Sequence, residues 1–338
     1  MLQRRHFPQF VISTFLKTSK NILFIVPPKV HLLDLNGPAH IFYEAKELGM
    51  LVELHFVSVS TAIHAESSAG LSFSNLKPYV EFELSEEDYV FVPGLEYTLI
   101  SDSSFIQNCD PFFKWLRRQA SHGAHVCSVC TGAFLLAEAG LLSGKSCTTH
   151  WKYLSRFSQK YPAVYLRKDR LFVVDGNIYT SAGVASGIDL ALYIIEKEFG
   201  TKWAIEVAKE VVVYFRRSEG DPQLSIFLQY RNHMDSQIHE AQNYLMSHLS
   251  GTSSLESVAE HVNMSIRNLT RCFKKTTGIT IGDYLEKLRV ERAVQLLSTG
   301  NKVEVVSKEC GLSSNQLRAL LKKHRGVLPG DVASLEMS

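Results

Sequence analysis

The stretch around Cys130 has the residue types and spacing of a reactive thiol site. His125 to Val129 predicts a buried strand, and the small residues from Cys130 to Ala133 lie between it and a helix predicted over Phe134 to Leu142. A strand that turns sharply into a helix exposes the first residue of the turn at the carboxyl edge of the sheet. There the helix dipole would favour a thiolate and lower the pKa of the thiol. The sequence therefore predicts a nucleophile elbow at Cys130, with a small buried core cysteine as the alternative.

Backbone donors beside this thiol would form an anion hole. A buried strand over Tyr89 to Val92 ends at Pro93-Gly94-Leu95, and the N–H groups of this loop and of Thr131 would meet at the same sheet edge. Cys127 belongs to the strand before the elbow. We therefore expect no redox pair between Cys127 and Cys130.

The C-terminal third predicts two helix-turn-helix units. In the first unit, Leu255 to His261 precedes a turn and a second helix capped by Ser265. In the second unit, Val303 to Cys310 precedes a turn and a second helix capped by Ser313. The two capping serines lie 48 residues apart in the sequence (265 and 313). This spacing indicates an internal repeat of one supersecondary unit.

Ile281 to Leu297, between the two units, predicts one continuous amphipathic helix that would hold them at a fixed separation. A helix-turn-helix places its second helix in the major groove, where Arg, Asn and Gln read base edges. Two such units could meet successive grooves, about 34 Å apart. The alternative is a plain helical bundle with a charged outer face. The predicted DNA contacts lie outside the apolar seams of the two second helices: Arg267, Asn268, Arg271, Lys274, Asn315, Gln316, Arg318 and Lys322.

Residues 237–330 resemble the double helix-turn-helix domain of the AraC family of bacterial transcription regulators. The resemblance rests on Ala259, Ser265, Leu269, Phe273, Lys274, Thr277-Gly278, Tyr284, Leu288-Arg289, Ala293, Leu296-Leu297, Gly311, Gly326 and Pro329. The second unit departs from the family pattern, since leucines replace three phenylalanines and Val306-Ser307 replaces an aliphatic residue followed by Ala. We expect an intact core but a weaker or altered second reader. The resemblance implies double-stranded DNA as a partner.

The distribution of charge agrees with this partner. Residues 237–330 carry 13 Lys and Arg against 8 Asp and Glu, a net charge of +5, although the whole chain carries only +2. Residues 1–236 carry 23 basic against 24 acidic residues. The basic excess thus lies on the segment that would meet phosphates.

The N-terminal two thirds predict alternating strands and helices. Continuous apolar runs at Asn21 to Val26 and Val52 to Val59 predict further buried strands, and Asp175-Gly176-Asn177 predicts a hairpin turn. Helices are expected over Ala39 to Leu48, Pro111 to His122, Ser186 to Phe199 and Trp203 to Arg217. The pattern predicts an α/β fold with a mostly parallel sheet sandwiched by helices, followed by the all-α domain.

Residues 20–200 resemble the DJ-1/PfpI superfamily, class I glutamine-amidotransferase-like domains with a flavodoxin-like sheet. The matching pieces include Asp34 to Pro38, Val92 to Gly94, Ser128 to Ala133, Thr148 to Trp151 and Ala182 to Leu192, several of them closest to isocyanide-hydratase-like members. The resemblance implies that Asp34 is the acidic partner of the cysteine; otherwise Asp34 is a strand-end residue before a turn. Thr131 replaces the His that peptidase-like members use as a base. The predicted ligand-binding residues are Asp34, Gly94, Leu95, Cys130, Thr131 and His150, although His150 could instead pack beside Trp151.

Composition excludes several classes of protein. Six irregularly spaced cysteines in 338 residues do not form a disulfide scaffold. No apolar run reaches the roughly 18–20 residues of a membrane span, and Phe10 to Leu16 lacks a signal-peptide cleavage site. We expect a cytoplasmic protein without cofactor or metal. The expected domains are an extension (1–19), a ligand-sensing and dimerisation domain (20–217), a linker (218–236), a DNA-binding domain (237–330) and a tail (331–338).

Together these features predict a transcription regulator, expected to be an activator and a homodimer, that responds to a small polar or amine-containing metabolite bound near Cys130. The alternative is an enzyme, a cysteine-dependent hydratase or hydrolase that uses Cys130 and Asp34. A third possibility is an oxidant sensor, which needs an exposed thiol of low pKa at Cys130.

Overall fold

A computed structural model describes residues 19–168, 170–213, 226–231, 233–251, 254–298 and 300–332. The chain forms two compact units, residues 1–223 and 224–338. The predicted extension up to residue 18, the linker residues 218–225 and the tail beyond residue 332 lie outside the described residues. No described helix is long and apolar enough to cross a bilayer.

The first unit is built on a seven-stranded sheet, counted over the described residues, in the order β10-β11-β7-β6-β1-β2-β5. Its pairs are parallel except for the β10–β11 hairpin, which confirms the predicted mostly parallel sheet. Short pairs β3–β4 and β8–β9 lie outside it. The strands are β1 Lys20–Val26, β2 Val52–Ser58, β3 His64–Glu66, β4 Ser72–Ser74, β5 Lys77–Pro78, β6 Tyr89–Val92, β7 His125–Val129, β8 Ser146–Cys147, β9 Tyr165–Leu166, β10 Phe172–Asp175 and β11 Ile178–Ser181.

Helices cover both faces of this sheet, because successive side chains of the buried strands point to opposite sides. Phe24 and Phe91 pack in one apolar cluster with residues of α1, α7 and α8, and Leu23 and Val90 pack in another with residues of α4 and α5. The helices are α1 Leu32–Glu47, α2 Tyr97–Ile100, α3 Ser103–Asn108, α4 Asp110–Ser121, α5 Gly132–Glu138, α6 Leu154–Lys160, α7 Ser186–Phe199 and α8 Thr201–Glu210.

Helix α1 begins earlier than the sequence indicated. The predicted start at Ala39 followed Gly37-Pro38, which resembled a turn, but the helix begins at Leu32 and contains Pro38. Pro38 lies in the second turn of the helix and has no N–H to donate to the carbonyl of Asp34, so α1 continues through this position without that bond. Asp34 therefore lies in the first turn of a helix and not at a strand end.

Two other helices are shorter than predicted. Helix α5 ends at Glu138, whereas Leu142 was expected, and α8 ends at Glu210. Val212, two residues later, has a φ of 54°, a left-handed conformation that ends a helix. The end predicted for α8, Arg217, lies outside the described residues.

The second unit is helical, as predicted. Its helices are α9 Ile226–Gln229, α10 Ser236–Ser247, α11 Leu255–His261, α12 Ile266–Thr277, α13 Ile281–Ser298, α14 Val303–Glu309, α15 Ser314–Arg325 and α16 Pro329–Val332. One apolar cluster joins α10 to α12 with the first half of α13, and a second joins the rest of α13 with α14 to α16. Helix α13 is thus the connector shared by both helix-turn-helix units.

The 48-residue repeat predicted from the sequence is present in three dimensions. Ser265 accepts a hydrogen bond from the backbone of Asn268, and Ser313 accepts one from Gln316 in the same way. In the turns, Asn263 (φ 53°) and Gly311 (φ 64°) occupy equivalent left-handed positions. Leu269 and Phe273 are fully buried, as are their counterparts Leu317 and Leu321. The leucine substitutions in the second unit therefore preserve its core.

Candidate functional site

Cys130 lies at the sharp turn between β7 and α5, as the sequence predicts. Its φ of 59° is in the left-handed region, which costs a non-glycine residue about 1–2 kcal/mol. Its backbone N–H donates to the carbonyl of Ser181 at 3.0 Å, and its own carbonyl accepts from the hydroxyl of Thr149 at 2.9 Å. These bonds hold the strained turn, which confirms the predicted strand-turn-helix geometry. The predicted exposure of the thiol is wrong, because the Cys130 side chain is buried, with 3% of its surface exposed.

The sheet order brings three loops to this elbow. Strand β1 lies between β2 and β6, so the connections on its two sides run in opposite directions along the sheet. In open α/β sheets, the carboxyl ends of the strands at such a switch point are the usual place for a ligand. Asp34 follows β1, Gly94 follows β6 and Cys130 follows β7. A Cβ atom at Gly94 would lie 2.9 Å from the Cβ of Cys130, so the close approach of these loops requires glycine there.

Asp34 is buried, and both of its carboxylate oxygens have partners. Oδ1 accepts from the backbone N–H of Val184 at 2.6 Å, and Oδ2 lies 3.2 Å from Nδ1 of His31. His31 was not singled out from the sequence. Its position three residues before Asp34, within one helical turn, is the signal that could have identified it. The site is therefore a group of His31, Asp34 and Cys130, and not an acid–thiol pair alone.

The side chain of Thr131 occupies one of the backbone donors that was predicted to form the anion hole. Its hydroxyl accepts from the N–H of Leu95 at 3.0 Å and donates to the carbonyl of Leu95 at 2.9 Å. The Leu95 N–H is therefore occupied within the protein, so the prediction that it contributes to an anion hole is wrong. The β-branched hydroxyl instead ties the loop after β6 to the elbow. This correction concerns only the N–H of Leu95. The roles of Gly94 and Thr131 in ligand binding stay predictions.

The predicted lowering of the Cys130 pKa is also wrong. Burial raises the pKa of this thiol well above its usual value, and the nearby Asp34 carboxylate raises it further, because a thiolate beside a carboxylate is repelled. The backbone N–H of Thr131 lowers the pKa but does not outweigh these effects. Helix α5 has only seven residues, so its dipole is weak. The oxidant-sensor interpretation loses its premise, since it required an exposed thiol of low pKa.

We expect slow alkylation of Cys130 at neutral pH. In protein treated with a chelator, the rate of iodoacetamide labelling of Cys130 should rise with pH, with a midpoint above the value of about 8.5 for a free cysteine. Asp34→Asn removes the repelling carboxylate, so the midpoint should move to lower pH. Peptide-resolved mass spectrometry measures both rates, with N-acetylcysteine as the reference. A wild-type midpoint below that of the reference contradicts this assignment.

His150 is half-buried beside the aromatic rings that follow it. Its ring centroid lies 5.6 Å from that of Trp151, and its Nδ1 accepts from the N–H of Lys152 at 3.4 Å. Burial lowers its pKa, against the opposing effect of the Asp34 carboxylate. His150 therefore packs beside Trp151, as the alternative stated from the sequence has it. Ligand binding by Nε2, its other ring nitrogen, stays a prediction.

The helix α12 presents its predicted DNA contacts to solvent. Arg267, Arg271 and Lys274 are exposed, while Asn268 is half-exposed. The guanidinium of Arg271 donates to Oδ1 of Asn268 at 2.8 Å. This bond holds the side chain of Arg271 against the helix and reduces the freedom it would lose on binding.

The helix α15 differs at the equivalent positions. Asn315, Gln316, Arg318 and Lys322 are exposed, but Oε1 of Gln316 accepts from the backbone N–H of Ser313 at 2.9 Å and completes a capping box. That oxygen cannot pair with a base without breaking the cap. Ala319 stands where the first unit has Arg271. The second unit thus offers fewer side chains for base contacts than the first.

These observations define a class of protein: an α/β domain with an acid-paired cysteine elbow, joined in one chain to two helix-turn-helix units. Residues 20–197 match the model of the DJ-1/PfpI family, and residues 258–334 match that of a helix-turn-helix domain. The chain belongs to the DJ-1/PfpI family, and its C-terminal part is a helix-turn-helix domain of the AraC type. Both resemblances stated from the sequence are thereby confirmed.

The relatives include both regulators and an enzyme. The chain is 32% identical over 220 residues to the HTH-type transcriptional regulator GbdR of Pseudomonas aeruginosa, which covers 64% of this chain and 59% of that protein. It is 35% identical over 184 residues to an isonitrile hydratase of Pseudomonas putida, which covers 54% of this chain and 73% of that protein. The crystal structure of a candidate transcriptional regulator from Vibrio parahaemolyticus has the same fold, with a TM-score of 0.51, 20% identity and coverage of 57% of this chain and 100% of that chain.

Proposed function

We propose that this protein is a sequence-specific DNA-binding transcription regulator. The observation that carries the proposal is the pair of helix-turn-helix units arranged around α13, with the exposed basic side chains of α12 and α15. The named regulators among its relatives support a regulator over an enzyme. The matched segment spans about three fifths of the length of these regulators, as for GbdR at 59%. In this proposal residues 237–330 bind DNA and residues 20–217 sense a ligand.

The dimensions of the connector support binding to successive grooves. Helix α13 has 18 residues, a length of about 27 Å at 1.5 Å per residue. Adjacent major grooves on one side of DNA are separated by about 34 Å. The first half of α13 packs in one apolar cluster with α12 and the second half in another with α15, so the two second helices are held at different points along the connector.

The connector also fixes the orientation of α15. Oε2 of Glu286 on α13 lies 2.7 Å from Nζ of Lys323 and 3.2 Å from Nε2 of His324, both near the end of α15. The Lys323 charge is therefore paired within the protein. Lys322, which is exposed on the same helix, is the better candidate for a phosphate contact.

The direct test is selection of duplexes from a random pool by the full-length chain, followed by competition with scrambled DNA. A specific regulator should prefer the selected duplex by at least about a thousandfold, and its affinity should fall steeply with salt. Equal binding to selected and scrambled duplexes at every salt concentration would contradict the proposal.

We expect Lys322→Ala to weaken binding to all duplexes by a similar factor. Loss of one phosphate contact should reduce the slope of log K against log salt by about 0.9, without changing the preferred sequence. Filter binding at several salt concentrations measures the slope. Lys114→Ala, an exposed lysine of the first unit that pairs with Asp110, is the control and should leave the slope unchanged. A changed base preference in Lys322→Ala would assign Lys322 a different role.

Ligand sensing and dimerisation complete the proposal. A small-molecule effector near Cys130 is supported by the buried carboxylate of Asp34 and the half-buried rings of His31 and His150, which line one sheet edge. Helix α1 and the segment leading into β2 expose Leu33, Tyr43 and Leu51, each about half exposed, and exposed apolar side chains of this kind support a homodimer. Sedimentation of the full-length chain tests the dimer, and a reporter gene tests whether it activates.

The relation to an isonitrile hydratase makes an enzyme the second candidate. The observation that favours it is the proximity of Asp34 and Cys130, whose donor atoms lie within 4.8 Å of each other. Reporter response and isonitrile turnover, both measured for wild type and Cys130→Ala, separate the candidates. An unchanged response in the variant, together with no turnover in wild type, removes the enzyme. Turnover that depends on Cys130 establishes it.

A further inference from the structure

We propose that His31, Asp34 and Cys130 form a binding site for one divalent metal ion of the borderline-soft class, with Zn²⁺ as the representative. Nδ1 of His31 lies 3.2 Å from Oδ2 of Asp34, and the donor atoms of all three residues lie within 4.8 Å of one another. Among the residues that the structure describes, this is the one group of three or more such side chains with this spacing. The proposal concerns the first unit alone and does not depend on DNA binding.

The donor set selects the class of metal. A thiolate, an imidazole and a carboxylate suit Zn²⁺ and related transition metals, whereas Mg²⁺ and Ca²⁺ prefer oxygen ligands alone. Two ligands at about 2.0–2.1 Å from a tetrahedral zinc ion are separated by about 3.3 Å, close to the observed His31–Asp34 distance. In the same geometry a thiolate sulfur lies about 3.6 Å from each of the other two ligand atoms, and here all three donor atoms lie within 4.8 Å of one another. Three protein ligands leave a fourth position open for water or an exogenous ligand.

The protein holds these ligands in place through its backbone. The N–H of Val184 binds Oδ1 of Asp34 at 2.6 Å and so directs Oδ2 towards His31. The backbone N–H of His31 donates to the carbonyl of Gly94 at 2.8 Å, which fixes the start of α1 against the loop after β6. Such outer bonds are the usual means by which proteins orient metal ligands before the ion arrives.

Glycines keep the space around the sulfur free. A Cβ atom at Gly183 would lie 2.8 Å from Sγ of Cys130, and the φ of 102° at Gly183 excludes most other residues. About a third of the His31 side chain is exposed (35%), while that of Asp34 is not (0%). The imidazole therefore provides the entry from solvent, and the carboxylate of Asp34 and the sulfur of Cys130 lie behind it. The alternative for these atoms is a His–Asp hydrogen bond beside a buried thiol, which binds no ion.

Titration of the full-length, chelator-treated chain with Co²⁺ as the probe separates these alternatives. A cysteine thiolate bound to Co²⁺ gives a sulfur-to-metal charge-transfer absorption in the near ultraviolet, and a tetrahedral ion gives visible d–d bands. We expect one Co²⁺ per chain with both features, and Zn²⁺ should displace it. Cys130→Ser should abolish the charge-transfer absorption. His31→Gln, a change of a side chain that is about a third exposed (35%), should weaken binding at least tenfold.

Cys272→Ser is the matched control, because Cys272 is the only free cysteine of the described residues that is not buried. This variant should keep the absorption and the affinity of wild type. Any of three results would overturn the proposed site. These are the absence of charge-transfer absorption in wild type, its persistence in Cys130→Ser, and an unchanged affinity for Co²⁺ in His31→Gln. Circular dichroism of each variant verifies the fold. None of these readouts involves DNA, so failure of the metal site and failure of the proposed regulator function are distinguishable.

Discussion

Arg271→Ala should weaken binding to the selected duplex by about 1–3 kcal/mol, or roughly 5- to 150-fold, and should relax the preference at one base position. Arg271 is exposed on α12, and Oδ1 of Asn268 braces its guanidinium at 2.8 Å. Arg paired bidentately with guanine is the commonest specific contact in the major groove. Because the side chain is already held in place, little conformational freedom remains to be lost on binding. Competition assays against single-base variants of the duplex measure the affinity and the preference.

A control on the same helix distinguishes base reading from loss of charge. Lys275→Ala removes an exposed cation of α12 that is not among the predicted DNA contacts. It should have a smaller effect, equal for all duplexes. If Arg271→Ala bound the selected duplex as tightly as wild type, Arg271 would not read a base. An equal loss on selected and scrambled DNA would instead assign Arg271 to a phosphate.

Gly311→Ala should destabilise the second unit by about 2–5 kcal/mol, the largest effect expected here on stability. Gly311 has a φ of 64° in the turn before α15, and a left-handed conformation costs an alanine about 1–2 kcal/mol. In addition, the new Cβ would lie 2.6 Å from the carbonyl oxygen of Leu249 and 3.0 Å from Nη2 of Arg289. Relief of such overlap in a packed region typically costs a further 1–3 kcal/mol or so.

Gly326→Ala separates the two causes. Gly326 has a similar φ of 71° at the end of α15, but an added Cβ would meet nothing within 4 Å. This variant should therefore lose only the conformational part, about 1–2 kcal/mol. All three Trp residues, Trp115, Trp151 and Trp203, lie in the first unit, so tryptophan fluorescence does not report the second. Hydrogen exchange of amides in α11 to α15 measures the opening free energy, and equal losses in both variants would refute the steric part.

The helix-turn-helix repeat was predictable from the sequence because local rules determine it. Ser265 and Ser313 cap their helices through bonds to residues three positions later, and apolar spacing alone identified the buried faces of α12 and α15. The strands β1, β6 and β7 were likewise predictable, since continuous apolar runs mark strands that are buried on both faces.

The chemistry of the site was decided only by the tertiary structure. The sequence predicts a lowered pKa for Cys130, but burial and the Asp34 carboxylate raise it. The sequence also predicts a free N–H at Leu95, but the Thr131 hydroxyl accepts its hydrogen bond. The role of His31 was missed, because its spacing from Asp34 is informative only if α1 begins at Leu32, whereas the start predicted from the sequence is Ala39. These groups are separated by up to about a hundred residues and meet only because the strand order places their loops at one sheet edge. The sequence by itself determined the elements and the positions of the reactive side chains along the chain, whereas protonation and free hydrogen-bonding capacity depend on neighbours that only the folded chain provides.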